Sequence, residues 1–134
     1  MIPKYATPGA AACDLTALTD APITLQPGQR ALIPTGIAIA LPSNEYVALI
    51  CARSGMAAKR GLTLANAVGV IDSDYRGELK VAMVNIDSQP QTIESGERIA
   101  QLMFLPVAVA QLAEAEALPD TERGEGGFGS TGTK

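Results

Sequence analysis

Hydrophobic residues occur along the chain in short runs that are separated by turn-forming residues. The four clearest runs cover residues 31–41, 45–51, 79–86 and 98–109. Pro, Gly, Asn, Asp and Ser cluster between the runs, as in Pro42-Ser43-Asn44. Short strands ended by such turns at this spacing are typical of β-sandwiches and jelly rolls. The pattern therefore predicts an all-β domain.

One of these runs is apolar on both sides. Leu79, Val81 and Met83 would line one face of a strand, and residues 82, 84 and 86 are also apolar and would line the other. Successive side chains of a strand point to opposite faces, so a strand of this kind is covered on both faces. We therefore expect it in the centre of a sheet.

Two segments have helical character instead. Residues 54–59, followed by Gly61, predict one or two helical turns with Ser54 as the N-cap. Residues 109–118 are rich in Ala and Glu and precede Pro119, which predicts a second helix.

The composition indicates one globular domain and a tail. The chain has 134 residues, of which 47% are hydrophobic and 18% are charged, enough for one core. Only 4% are aromatic, so burial between subunits would add to stability. From Arg123 the sequence becomes RGEGGFGSTGTK, which is too rich in glycine to form a core. We expect one β domain over residues 1–122 and a tail over residues 123–134.

Charge and composition exclude several classes of partner. The net charge of −4 argues against a nucleic-acid polymer, which normally needs a basic face. No run approaches the ~20 apolar residues of a membrane span, and the N-terminus lacks a signal-peptide core. We therefore expect a cytoplasmic protein without a membrane partner. There is no His, and Cys13 and Cys51 form no CxxC pair, so we expect buried free thiols and no zinc site.

The first segment with candidate chemistry is NAVGVIDSDYRGE, residues 66–78, in which two apolar arms flank an acidic turn closed by Gly77. The pattern predicts a hairpin. Asp72 and Asp74 share the turn with Tyr75, and a carboxylate facing a phosphate pocket can take a proton from water. The alternative is an ordinary turn whose acidic side chains bond nearby backbone amides.

The second segment is ARSGMAAKRG, residues 52–61. Backbone amides at a helix start, the Ser54 hydroxyl and the Arg53 guanidinium together could form a phosphate site. A capped turn with solvated Arg53, Lys59 and Arg60 explains this segment equally well.

The third segment is the tail, whose glycines superficially match a phosphate-binding P-loop. Thr133 separates Gly132 from Lys134, and a chain end supplies neither the strand nor the helix of a P-loop. The glycines nevertheless permit close backbone approach to an anion, and an aromatic ring among them could stack on a base. The alternative is a disordered terminus.

Together these segments resemble the homotrimeric dUTP diphosphatases (dUTPases). Five stretches between residues 8 and 132 match in order: PGAAACDLTA, ARSGMAAKRG, NAVGVIDSDYRGE, GERIAQLMF and RGEGGFGSTG. The resemblance implies a jelly-roll-like distorted β-barrel (β-clip) with one short helix and a C-terminal segment exchanged between subunits of a trimer. It also implies hydrolysis of dUTP to dUMP and pyrophosphate, which limits uracil incorporation into DNA and supplies dUMP for dTMP synthesis.

The resemblance extends to residue roles. Asp72 matches the residue that activates the water attacking the α-phosphorus, while Asp74 would be structural. Tyr75 matches a ring that packs under the deoxyribose and excludes a 2′-hydroxyl, and Asn66 matches an Asn that contacts uracil. Asp14 matches an acid that approaches Mg²⁺ through water, with the substrate phosphates as the main ligands of this cofactor.

The remaining roles implied by the resemblance concern the phosphates and the tail. Arg98 would hold structure rather than substrate. The phosphate-binding residues would be Arg53, Ser54, Gly55 and Gln101. The tail residues that close over the triphosphate would be Arg123, Gly127, Ser130 and Thr131, with Phe128 covering uracil. Cys13 and Ala52 depart from the family pattern at positions that carry no chemistry.

Three other functions are compatible with parts of the sequence. A dCTP deaminase of the same broad fold usually has a Trp where Tyr75 stands, and this chain has no Trp. An inactive relative that binds nucleotide or a protein as a sensor would not need both Asp72 and the whole tail. A trimeric structural module would leave Phe128 unexplained.

Overall fold

The computed structural model describes residues 2–127. In this part of the chain there are nine strands and one helix. In chain order the elements are β1 (Cys13–Thr16), β2 (Ile23–Leu25), β3 (Arg30–Pro34), β4 (Tyr46–Ala52), α1 (Ser54–Arg60), β5 (Leu62–Leu64), β6 (Gly69–Ile71), β7 (Lys80–Asn85), β8 (Gln91–Ile93) and β9 (Arg98–Pro106). The prediction of an all-β domain with one short helix is confirmed.

The strands form three antiparallel sheets around one core. The largest has the order β1-β9-β4-β6, the second β3-β7-β5, and the third pairs β2 with β8. Most paired strands are far apart in sequence, so the fold depends on long-range pairing. Aliphatic side chains fill the space between the sheets, and Leu15, Ile33, Val81 and Leu102 are at most 1% exposed.

The central position predicted for residues 79–86 is confirmed by β7, which lies between β3 and β5. Its inward face, with Val81 and Met83, is fully buried. The outward face is apolar too, yet Ile86 is 67% exposed, as is Leu32 at 65% on neighbouring β3. A single copy of the chain therefore leaves the second apolar face of this sheet uncovered.

The helix over residues 54–59 is present as α1, but the predicted N-cap is wrong. Arg53, with extended backbone, is the N-cap, Ser54 is the first helical residue, and no side chain caps the helix. The C-terminal end agrees with expectation, because Gly61 adopts a left-handed conformation with φ of 60° and donates to helix carbonyls. Lys59 and Arg60 in the last turn complement the helix dipole.

The second predicted helix, residues 109–118, is wrong. These residues have no regular structure and all are exposed. Leu112 and Leu118 are 92% and 85% exposed, so the segment buries no apolar face. Because helices of this length are marginal without tertiary packing, favourable Ala and Glu propensities do not suffice.

The predicted hairpin over residues 66–78 is also wrong. Strand β6, before the acidic turn, pairs with β4, whereas β7, after the turn, pairs with β3 and β5. The two arms thus belong to different sheets and do not pair with each other. The acidic turn lies where the chain crosses from one sheet to the other.

The chain leaves the barrel after β9. The Val107 amide donates to the Glu45 carbonyl at 2.8 Å, and almost every residue from there to Gly127 is exposed. We call residues 107–122 the C-terminal arm.

Asn85 at the end of β7 provides a test of how the sheets are joined. This side chain is 0% exposed and donates to the carbonyls of Leu25 and Gln89 at 2.9 and 2.8 Å. Its oxygen accepts from the Asp87 amide at 2.8 Å. Substitution Asn85→Ala should lower the free energy of unfolding by about 3 kcal/mol, because it leaves these buried groups without partners.

Urea unfolding at one fixed protein concentration measures this effect, since any association would make stability depend on concentration. The matched control is Asn44→Ala, which removes an exposed asparagine and should change stability by no more than about 0.5 kcal/mol. Equal stabilities of the two variants would contradict the role of Asn85.

Candidate active site

A cavity of about 410 Å³ lies beside the acidic turn, at the crossing between β6 and β7. We call it the turn cavity. It contains Asp72 and Tyr75 together, as the sequence predicted for one turn. The residues that line it are Leu32, Val70, Ile71, Asp72, Tyr75, Glu78, Leu79 and Lys80.

Backbone hydrogen bonds fix the shape of the acidic turn. The Tyr75 amide donates to the Asp72 carbonyl at 3.2 Å. The Arg76 guanidinium donates to the carbonyls of Ser73 and Tyr75 at 2.8 and 2.9 Å. Arg76 therefore stabilises the turn from outside and leaves the acidic side chains free of this task.

The carboxylates of Asp72 and Asp74 are exposed and accept no hydrogen bond or ion pair from residues 2–127. The alternative in which these side chains bond nearby backbone amides is therefore not what the structure contains. Asp72 lines the turn cavity, whereas Asp74 does not. Of the two acids, only Asp72 can face a ligand in this cavity.

The Tyr75 ring folds back over Gly77. Its hydroxyl donates to the Glu78 carbonyl at 3.0 Å. A Cβ at Gly77 would overlap the Tyr75 hydroxyl oxygen. A side chain at Gly77 would therefore displace the tyrosine from this position.

Asn66 does not line the turn cavity. It is exposed in the connection between β5 and β6, next to Ala67 with its positive φ of 61°. Its carbonyl accepts from the Val68 amide at 2.7 Å.

A second cavity, of about 770 Å³, lies where α1 meets the outer face of the largest sheet. We call it the arginine cavity. Asp14, Gln101 and Cys51 form one cross-strand row on this face. They line the cavity together with the predicted phosphate residues Arg53, Ser54 and Gly55, and with Arg98.

An ion-pair network orients the arginines. Asp14 binds Arg53 Nε at 2.8 Å through one oxygen and Arg98 Nη1 at 3.1 Å through the other. Arg53 Nη1 also donates to the Arg98 carbonyl at 3.1 Å. One carboxylate thus balances two guanidinium groups, and the network keeps a net positive charge that suits an anion.

Other polar groups around the arginine cavity are tied to the fold. Gln101 donates to the Ala52 carbonyl at 2.9 Å, which orients its side chain. The Arg60 side chain is 31% exposed, pairs with Glu97, and bonds Gln91 and Thr92. It therefore joins α1 to β8 and to the turn before β9.

Both thiols are free, as expected. Cys13 is buried, and burial raises the pKa of its thiol. Cys51 lines the arginine cavity with its sulfur 4.0 Å from that of Met103. Sequence reasoning gave Cys51 no place at the site.

No group of three or more His, Cys, Asp or Glu residues that could hold a metal ion is present between residues 2 and 127. Two acidic residues line the arginine cavity, Asp14 and Glu97, and Glu97 is paired with Arg60. This donor set fits an ion held chiefly by phosphate oxygens and water, since Mg²⁺ retains several waters and needs few protein ligands.

The turn cavity and the arginine cavity share no lining residue. Of the predicted site residues, Asp72 and Tyr75 line the turn cavity. Those that line the arginine cavity are Asp14, Arg53, Ser54, Gly55 and Gln101. Arg123 and Gly127, on the tail, line neither cavity. Arg123 is exposed and its Nε donates to the Gly126 carbonyl at 2.9 Å. Phe128, Ser130 and Thr131 lie outside the described residues.

Sequence reasoning missed Glu78 and Lys80 in the turn cavity. Glu78 ends the quoted segment NAVGVIDSDYRGE but received no role, because its carboxylate acts on a residue 42 positions away.

In the described part of the chain, no helix is long and apolar enough to cross a membrane.

Comparison with known proteins identifies one family. The family model described as dUTPase matches residues 1–132. Deoxyuridine 5'-triphosphate nucleotidohydrolase of Desulfitobacterium hafniense is 56% identical over 131 residues, which cover 98% of this chain and 87% of that protein. The enzyme of the same name from Idiomarina loihiensis is 53% identical over the same shares.

A solved structure agrees over nearly the whole chain. A point mutant of the Staphylococcus bacteriophage 80alpha dUTPase with dUpNHpp has a TM-score of 0.88 at 28% identity, and covers 98% of this chain and 92% of its own. The dUTPase of Streptococcus mutans has a TM-score of 0.75 at 33% identity, over 82% and 88%. By sequence and by fold, the chain belongs to the dUTPase family.

Proposed function

We propose that the chain, a dUTPase that hydrolyses dUTP to dUMP and pyrophosphate, uses Asp72 as the general base. Asp72 takes a proton from water, and the water oxygen forms a bond to the α-phosphorus. The bond from this phosphorus to the bridging oxygen breaks, and pyrophosphate leaves. The observation that carries this proposal is an exposed carboxylate that lines a cavity with Tyr75 and has no partner among residues 2–127.

The turn cavity holds the deoxyribose in this proposal. Tyr75 packs under the sugar and leaves no room for a 2′-hydroxyl. The bond from its hydroxyl to the Glu78 carbonyl supports this role, because a ring can exclude a hydroxyl only if it is held in place. Asn66 and the adjoining backbone contact uracil from the connection between β5 and β6.

The arginine cavity binds the triphosphate. Arg53, Ser54, Gly55 and Gln101 contact phosphate oxygens, and Arg98 holds Asp14. The net positive charge of the Asp14–Arg53–Arg98 network supports this assignment, as it provides a cationic site on a chain of net charge −4. Guanidinium groups bind phosphate oxygens with geometry that an ammonium group cannot reproduce.

Magnesium is the cofactor in this proposal, with the substrate phosphates as main ligands and Asp14 approaching through water. When bound, the ion neutralises charge on the phosphates and orients them. Asp14 already orients Arg53 and Arg98 at this surface, so cofactor and arginines would act on the same phosphates.

The complete site is shared between subunits of a homotrimer. The separation of the turn cavity from the arginine cavity supports this arrangement, because neither surface alone carries all the groups that the reaction needs. The C-terminal arm, extended and exposed, would carry the tail to a neighbouring subunit. There Arg123, Gly127, Ser130 and Thr131 would close over the triphosphate, and Phe128 would cover uracil.

A cytoplasmic location stays a prediction.

The role of Asp72 is tested by Asp72→Asn, which removes the basic oxygen with almost no change of shape. We expect kcat for dUTP to fall by about 10²–10⁴, the typical contribution of a general base, while a non-hydrolysable analogue still binds. The matched control Asp74→Asn changes an acid of the same turn that lies outside the cavity and should keep most activity. Pyrophosphate release with Mg²⁺ measures both, and an unaffected Asp72→Asn enzyme would rule out this base.

Sharing of the site is tested by mixing two inactive variants, Arg53→Ala and Asp72→Asn. If each site combines the arginine cavity of one subunit with the turn cavity of another, mixed trimers contain intact sites. Random assortment should then restore about a quarter of wild-type activity. A mixture of Asp72→Asn with Tyr75→Ala, two variants of one cavity, should restore none. No recovery in the first mixture would contradict shared sites.

The tail is tested by a chain that ends at Glu122. We expect it to bind nucleotide but to lose about 10²-fold or more in kcat, because the tail would exclude water and add donors around the developing charge. Direct binding of a non-hydrolysable dUTP analogue, compared with single-turnover hydrolysis, separates the two steps. Full turnover by this truncated chain would contradict the closing role of the tail.

A further inference from the structure

Glu78 connects the Tyr75 ring to a distant part of the chain. Its backbone carbonyl accepts the Tyr75 hydroxyl at 3.0 Å. Its carboxylate accepts the Gly36 amide at 2.7 Å, across 42 positions of sequence. One residue therefore holds the end of the tyrosine side chain and fixes itself to the bend that follows β3.

The bend at Gly36 is a rigid anchor for this contact. Gly36 has a positive φ of 68°, which other L-residues adopt only with strain. The buried Thr35 hydroxyl beside it donates to the Leu79 carbonyl at 2.6 Å, and the Leu79 amide donates to the Ile37 carbonyl at 2.7 Å. These bonds fix the register in which the Glu78 carboxylate meets the Gly36 amide.

The position of the Tyr75 ring depends on its contact with Glu78, because its other neighbours do not hold it. Gly77 lies under the ring and has no side chain to hold it from that side. The ring is 44% exposed, so packing alone does not fix it. Loss of the carboxylate contact would let the backbone at Glu78 move, and with it the acceptor of the tyrosine hydroxyl.

We propose that Glu78 is a positioning residue that sets sugar selectivity by holding the Tyr75 ring against the place of the 2′-hydroxyl. This inference rests on the proposed role of Tyr75 and adds the residue on which that role depends. Glu78 need not touch the reacting atoms. Its effect should appear in the choice between deoxyribonucleotide and ribonucleotide, beyond any change in rate.

The test compares kcat and KM for dUTP and UTP in the wild type, Glu78→Ala and Glu78→Gln. Glu78→Ala should raise kcat/KM for UTP relative to dUTP by about tenfold, the equivalent of one ordinary hydrogen bond lost. Glu78→Gln removes the charge but keeps an oxygen that can accept the Gly36 amide, so it should restore most of the discrimination.

Two further variants keep the inference falsifiable if Glu78→Ala is unstable. Tyr75→Phe keeps the ring but removes its bond to the Glu78 carbonyl, and should relax discrimination in the same direction. The double variant Tyr75→Phe with Glu78→Ala should show less than the combined effect, because both changes release one ring. Additive effects would contradict a shared contact.

The outcomes separate this inference from the proposed function. If Tyr75→Ala relaxes discrimination while Glu78→Ala lowers activity on both nucleotides equally, the Glu78 inference is wrong and the role of Tyr75 stands. If Tyr75→Ala leaves discrimination unchanged, the proposed sugar contact is wrong, and the inference is overturned with it.

Discussion

The passage of the chain from one sheet to another between β6 and β7 is the constraint on which the candidate site depends. Because β6 pairs with β4 and β7 pairs with β3 and β5, residues 72–79 must bridge two sheets without strand partners of their own. Their polar backbone groups are satisfied instead by Arg76, by the Tyr75 hydroxyl, and by Thr35 and Ile37 on either side of the bend at Gly36. The side chain of Asp72 is thereby left available for its proposed role as general base.

At the arginine cavity, too, neighbouring residues hold the functional side chains in place. A long arginine side chain loses much freedom when it is held in one geometry. Asp14 holds Arg53 and Arg98 in advance, so less ordering is left for a phosphate ligand to cause. The two arginines outweigh one carboxylate, which explains how an acidic chain can present a cationic cavity. Arg60, by contrast, forms an ion pair with Glu97 and stabilises the fold.

Features set by residues close in sequence were predictable. The helix at residues 54–60 follows from local propensity and from the left-handed Gly61, and Asp72 and Tyr75 meet because one turn contains both. Features set by distant partners were not. The false hairpin at residues 66–78 arose because the sheets that receive its arms are not visible locally, and the role of Glu78 depends on Gly36, 42 residues earlier. The Ala- and Glu-rich arm buries no apolar face against the rest of residues 2–127, so its helical propensity was not a sufficient guide.

Some apolar side chains are left uncovered by a single copy of the chain. They indicate the same association of subunits as the division of the candidate site between two cavities. Leu32 and Ile86 on the outer face of the β3-β7-β5 sheet, and Leu112 and Leu118 on the C-terminal arm, are each at least 65% exposed. Water contact with these side chains is unfavourable, and a chain with few aromatic residues gains little from its own core to offset it. Assembly of identical subunits would have two effects. It would cover the apolar surfaces, and it would bring a turn cavity to an arginine cavity. In the proposed trimer, stability and catalysis therefore depend on the same contacts, and a loosened interface would weaken both.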